Sequence, residues 1–135
     1  MQPLRITDPQ DAYKKQRILT ASPAELIVLL FDGLKKCLLM GQRYIGKGDA
    51  SSAHSKLMRA QEIIVELINS LDMNYEMSGD LLSVYEFMLV EIEEANKAKD
   101  VDRIVPLLDI VEEFRGVWEE VSRSQKGGGI ELSAE

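Results

Sequence analysis

The sequence has one cysteine, one histidine and no long hydrophobic run. The single thiol, Cys37, excludes an internal disulfide and any zinc site built from several thiolates. The single histidine, His54, makes most histidine-based catalytic and metal chemistry improbable. The longest apolar stretch is the six residues Leu26–Phe31, whereas a membrane-spanning helix needs about 20. The first residues also lack the apolar core of a secretory signal, so we expect a cytoplasmic protein without stable membrane insertion.

Positive charge is scarce in the second half of the chain. The net charge is −7 overall, but it is +2 over residues 1–75 and −8 over residues 76–123. Proteins that bind nucleic acids cluster lysine and arginine against the phosphates. The acidic second half therefore argues against a nucleic-acid partner and against an anionic membrane surface.

Apolar residues recur with helical spacing and predict four helices. The first begins at Ser22, where Ser-Pro-Ala-Glu forms a capping box with proline at the first helical position, and it ends near Gly46. The second helix covers about residues 50–71 and the third about residues 80–97. The fourth starts near Asp100 or Asp102, so that Pro106 is either tolerated in its first turns or marks a kink.

Amphipathic helices joined by short links cannot bury their apolar stripes singly, so the predicted fold is all-α, an antiparallel up-down four-helix bundle. We expect a short N-terminal helical arm over residues 1–21, the bundle over residues 22–123 and a flexible tail over residues 124–135. The predicted core positions of the last three helices are Ala53, Leu57, Ala60, Ile64, Leu67, Leu71, Leu81, Tyr85, Met88, Ile92, Ala95, Ile104, Leu108, Val111, Phe114, Trp118 and Val121.

No set of residues points to catalysis. His54 falls outside the apolar stripe of its helix and is interpreted as a surface side chain, and Ser51 stands where a di-iron bundle would need glutamate. Cys37 falls on an apolar face and is interpreted as a small core residue. The glutamates of the last two helices fall mostly on polar faces. We therefore expect no catalytic residue, no metal and no cofactor, and hence no enzyme.

The first helix is apolar nearly all round, which is typical of burial on both sides. One stripe, expected to face the core, consists of Leu26, Leu30, Gly33, Cys37, Gly41 and Tyr44. A second stripe consists of Ile27, Phe31, Leu34, Leu38 and Ile45. Periodicity alone leaves two interpretations open for the second stripe. Either the helix is central in the core, or the stripe forms an apolar groove that binds a partner protein.

Several motifs together resemble the FliS family, the flagellar export chaperones that hold flagellin. The resemblance covers about residues 12–121. The similar segments are Ala12–Gln16, Thr20–Pro23 with Glu25–Leu26, Leu30–Gly33, Lys47–Asp49, Ala60–Ile64, Ser70–Asp72, Tyr85–Met88, Glu94–Asn96, Lys99–Asp100 and Trp118. The segment Met73–Gly79 differs from the Gly-Gly-Glu-like loop that is common in the family. Asp80 stands where asparagine is frequent and would still serve as a helix cap.

The resemblance implies an antiparallel helical bundle that binds the C-terminal segment of flagellin in the cytosol. Masking that segment would prevent premature polymerisation until the flagellar type III export gate receives the client. With the apolar pattern, the resemblance suggests Ile27, Phe31, Leu34 and Leu38 as the flagellin groove. It also suggests the arm residues Tyr13, Ile18 and Leu19 as the contact with the export gate.

Two alternatives stay open at this point. One is a helical adaptor or secretion chaperone for another client. The other is a ligand-binding or enzymatic bundle, which would need polar and ionisable residues at core positions, whereas the predicted stripes are nearly all apolar.

Overall fold

The computed structural model of the chain describes residues 21–126 together with Pro9 and Ala12. Within residues 21–126 it contains four helices and no strand, which confirms the all-α prediction. The helices are α1 (Pro23–Gly46), α2 (Ala50–Asn69), α3 (Ser78–Ala98) and α4 (Val101–Lys126). The predicted arm contacts at Tyr13, Ile18 and Leu19 and the last nine residues of the predicted tail, 127–135, lie outside the described residues.

The ends of α1 and the start of α2 form where the sequence predicts them. The Ser22 hydroxyl accepts a hydrogen bond from the Glu25 amide at 3.2 Å, and the Glu25 carboxylate accepts one from the Ser22 amide at 2.9 Å. After α1, Gly48 adopts φ +76°, a conformation open mainly to glycine. Asp49 then caps α2 by accepting a hydrogen bond from the Ser52 amide at 3.0 Å.

The start of α3 differs from the prediction. The helix begins at Ser78 rather than at Asp80, and no side chain caps its first turn. The Ser78 side chain is buried and donates to the carbonyl oxygen of Asp72 at 2.6 Å, so a hydrogen bond within the connector fixes this end. Leu71 lies in the connector, because α2 ends at Asn69. Helix α4 continues through the exposed Pro106 and reaches Lys126, beyond the predicted bundle limit at residue 123.

Each helix packs against two neighbours: α1 and α3 each contact α2 and α4. Short links make consecutive helices antiparallel, and this closed ring of contacts is a four-helix bundle. Ion pairs also join α1 to α4, between Lys35 and Glu112 at 2.9 Å and between Asp32 and Arg115 at 2.5 Å. The core cluster consists of Phe31, Leu34, Leu38, Leu57, Ala60, Ile63, Ile64, Leu67, Tyr85, Met88, Ile92, Ala95, Ile104, Leu107 and Val111.

Candidate functional site

The predicted flagellin groove on α1 lies inside the bundle. Phe31, Leu34 and Leu38 are fully buried, and Ile27 is half-buried against the same core. In the folded bundle this stripe is therefore covered and does not form an exposed groove. The alternative interpretation, that α1 is central in the core, is the one the structure supports, because α2 and α4 cover α1 from both sides. By contrast Leu26, from the stripe expected in the core, is 40% exposed.

Three aromatic rings meet where the groove was expected. The ring centroids of Phe31 and Tyr85 are 6.4 Å apart, those of Phe31 and Phe114 are 6.3 Å apart, and those of Tyr85 and Phe114 are 6.4 Å apart. Removal from water raises the pKa of Tyr85 to about 12, an effect partly opposed by its hydrogen bond with the Trp118 side chain. A cluster that joins α1, α3 and α4 in this way stabilises the fold.

Exposed apolar side chains lie instead on the outer face of α3, which we define by Phe87 and Val90. Each is 53% exposed, and the two are one helical turn apart. Glu86 and Glu93, both exposed, lie next to them along the helix. Sequence analysis missed this pair because both residues fall outside the buried stripe and among glutamates. An apolar pair on an otherwise acidic face was the signal that could have identified it.

A second exposed apolar group lies on the α2–α3 connector. Met73, Tyr75 and Met77 are 58%, 43% and 68% exposed. The connector is ordered by its own hydrogen bonds, since the Tyr75 amide donates to the Asp72 carbonyl at 3.1 Å and the Asp72 carboxylate accepts from the Asn74 amide at 3.0 Å. The connector therefore exposes two methionines and a tyrosine to water on an ordered backbone. Flexible, polarizable methionine side chains are common at protein-binding surfaces.

A shallow groove follows one side of α1. It is lined by Asp32, Lys35, Lys36, Leu39, Met40 and Arg43. Among the described residues, Lys36 and Arg43 form no ion pair, whereas Lys35 and Asp32 pair with α4. The hydrogen bond and charge of Lys35 lower the pKa of Glu112, and the hydrogen bond to Asp32 raises the pKa of Arg115. These pairs join α1 to α4.

The remaining chemical candidates are structural in the described part of the chain. Cys37 is half-buried, and its burial raises the pKa of the thiol, which opposes formation of the reactive thiolate. His54 is exposed, as predicted, and lies 3.0 Å from the side-chain amide of Asn96. Within the described residues, no cluster of three histidine, cysteine or carboxylate side chains could hold a metal ion. No described helix combines the length and the hydropathy needed to cross a membrane.

Comparison with known proteins identifies the family. The family model described as "Flagellar protein FliS" matches residues 6–125. This chain belongs to the FliS family. The family consists of flagellar export chaperones and not of enzymes, so the chain is a chaperone that does not catalyse a reaction.

Individual relatives match over most of their length. The flagellar secretion chaperone FliS of Bacillus subtilis is 29% identical over 132 residues, which cover 94% of this chain and 99% of the relative. The protein of that name from Vibrio cholerae is 27% identical, with 82% of this chain and 85% of the relative covered. The Salmonella typhimurium protein is 26% identical, with 78% and 80% covered. The resemblance noted in the sequence is thereby confirmed.

Proposed function

We propose that this FliS-family chaperone binds the C-terminal segment of flagellin in the cytoplasm, prevents its premature polymerisation and delivers it to the flagellar type III export gate. The observation that carries the proposal is the similarity to relatives named flagellar secretion chaperones. In the Bacillus subtilis case that similarity extends over 99% of the relative. Because the match covers nearly all of that relative, we extend the role in its name, flagellar secretion chaperone, to this chain.

The client contact is proposed on the outer face of α3. Phe87 and Val90 are more than half exposed, and their spacing of one turn suits an amphipathic client that lays its apolar side on the helix. Phe31, Leu34 and Leu38 have no exposed surface and would reach a client only if the bundle opened. Their proposed contribution to binding is therefore indirect, through the packing that keeps α3 in place. The half-buried Ile27 is the predicted groove residue with accessible surface left.

The export-gate contact is proposed for the N-terminal arm. Tyr13, Ile18 and Leu19 provide apolar groups among the basic residues Lys14, Lys15 and Arg17. Helix α1 starts with its own capping box at Ser22, so formation of α1 does not depend on residues that precede the cap. Removal of residues 1–20 should leave the bundle folded and able to bind flagellin, but should weaken capture by the export gate in a pull-down. Loss of folding would instead assign these residues to the core.

Co-purification tests the client assignment. The tagged full chain is isolated from a flagellated cell that expresses it, and the bound proteins are identified by mass spectrometry. We expect flagellin in about equimolar amount. A different client in its place would support the alternative of a secretion chaperone or adaptor for another protein. A bound small molecule with no protein would favour the ligand-binding alternative.

A further inference from the structure

Three side chains connect the start of α2 with the end of α3. The side-chain nitrogen Nδ2 of Asn96 lies 3.0 Å from Nδ1 of His54. The Lys99 ammonium donates to the side-chain oxygen of Asn96 at 2.7 Å and to its main-chain carbonyl at 2.5 Å. Asn96 is 8% exposed, so its amide has little access to water as a substitute partner.

The ammonium of Lys99 fixes the orientation of the Asn96 amide. An ammonium has three donors and no acceptor, so the oxygen of Asn96 must face Lys99. The NH₂ group of Asn96 then faces His54, and Nδ1 of His54 must accept its hydrogen bond. Only a neutral imidazole that carries its proton on Nε2 can do so.

We propose that His54, Asn96 and Lys99 form a pH-sensitive latch between the start of α2 and the end of α3, which keeps both of its side-chain hydrogen bonds while His54 is neutral and loses one of them when His54 is protonated. A protonated imidazole carries hydrogen on both nitrogens, so Nδ1 of His54 and Nδ2 of Asn96 would then both be donors. Rotation of the Asn96 amide does not resolve the conflict, because it turns the NH₂ group toward the Lys99 ammonium. Protonation must therefore break one of the two side-chain hydrogen bonds.

The latch lies at a strained turn. Lys99 has φ +51°, and within the described residues it is the one residue other than glycine with positive φ. Its amide and that of Asp100 both bond to the carbonyl of Ala95, which closes α3 before α4 begins. A left-handed backbone is unfavourable for a residue with a side chain, so this turn depends on its hydrogen bonds. Loss of one hydrogen bond of the latch should therefore loosen this turn first.

Other charged side chains also lie near this end of the bundle. They are Arg43 on α1, Lys47 and Asp49 in the link before α2, Glu93 on α3, and Lys99 and Asp100 in the turn after α3. Among the described residues, Asn96 is the one hydrogen-bond partner of the ring, so the direct effect of protonation passes through that amide.

Amide hydrogen exchange on the full-length protein tests the latch. The protection factors of the Lys99 and Asp100 amides, corrected for intrinsic exchange, are compared at about pH 7.5 and about pH 5.5, on either side of the usual titration of histidine. In the wild-type chain we expect protection to fall about fivefold at the lower pH, the effect of one lost hydrogen bond. The Ser70 amide, bonded to the Glu66 carbonyl at the other end of α2, is the internal reference and should not change.

Two variants make the test specific. His54→Asn places an amide oxygen near the position of Nδ1 and removes the titrating ring. In this variant the protection factors of the Lys99 and Asp100 amides should therefore not depend on pH. Asn96→Asp provides one oxygen for Lys99 and one for a protonated His54, so protection should be equal or higher at the lower pH. A wild-type decrease that persists unchanged in His54→Asn would overturn the proposal, as would an equal decrease in Asn96→Asp. If Asn96→Asp does not fold, the comparison with His54→Asn decides alone.

Discussion

Gly41 on α1 packs so closely against the Leu57 side chain on α2 that a side chain at position 41 would clash with it. A Cβ atom added at Gly41 would lie 2.8 Å from Cδ2 and 3.2 Å from Cγ of Leu57, which is fully buried. At Gly33, about two turns earlier on α1, an added Cβ would lie 3.4 Å from Ile63 Cδ1, an ordinary contact. The two glycines therefore have different roles in one helix.

Gly41→Ala should destabilise the bundle, and Gly33→Ala is its matched control. Overpacking against Leu57 should cost about 1–3 kcal/mol. At Gly33 the gain in helix propensity, about 1 kcal/mol, should leave stability unchanged or higher. Urea unfolding followed by circular dichroism measures both. Equal stabilisation by the two substitutions would contradict the close packing of α1 and α2 at Gly41.

Truncation of Phe31 or Leu34 should reduce stability, because both side chains are fully buried. Phe31→Ala should cost about 3–5 kcal/mol and Leu34→Ala about 2–5 kcal/mol of unfolding free energy. Phe87→Ala removes the same side chain from an exposed site and should cost less than about 1 kcal/mol. Chemical denaturation of the three variants checks this order. A small effect at Phe31 together with weaker client binding would restore the predicted groove.

Stability should fall at high pH because of Tyr85. An unfolded tyrosine titrates near pH 10, but burial raises the pKa of Tyr85 in the folded chain to about 12. Between these values the unfolded state loses the proton first, so the stabilising contribution is complete below about pH 10 and decreases by about 2–3 kcal/mol as pH rises to about 12. The comparison is with Tyr85→Phe, which should lack this part of the alkaline decrease in urea titrations. If the unfolding free energies of the wild type and of Tyr85→Phe decrease in parallel above about pH 10, the predicted contribution of Tyr85 is contradicted.

Local signals in the sequence predicted where most of the helices begin and end. Which of their side chains are buried depends on how the helices pack against one another. The start of α1 was predictable because Ser22 and Glu25 cap each other within four residues. The start of α3 was not, because Ser78 is fixed by a carbonyl six residues away in the connector. The burial of Phe31 was left open, since two adjacent apolar stripes fit the same period and only the positions of α2 and α4 decide between them.

The candidate client surface was the least predictable feature. Phe87 and Val90 do not belong to an apolar stripe, and their exposure depends on how α3 is rotated against α2 and α4.

The double substitution Phe87→Ser with Val90→Ser should weaken flagellin binding by about 1–3 kcal/mol while the protein stays folded. Val105→Ser, at a 49% exposed site on α4, is the matched control and should bind normally. If the wild type, the double variant and Val105→Ser all bind flagellin with equal affinity, the client contact lies elsewhere on the bundle.

Isothermal titration calorimetry of the full chain with a C-terminal fragment of its cognate flagellin tests the proposed chaperone function most directly. The account predicts a one-to-one complex with a dissociation constant of about 10 micromolar or tighter, which corresponds to at least about 7 kcal/mol of binding free energy. It also predicts a negative heat-capacity change, because apolar surface is buried as the client gains helix. No heat of binding at tens of micromolar, with both proteins shown to be intact, would contradict flagellin as the client.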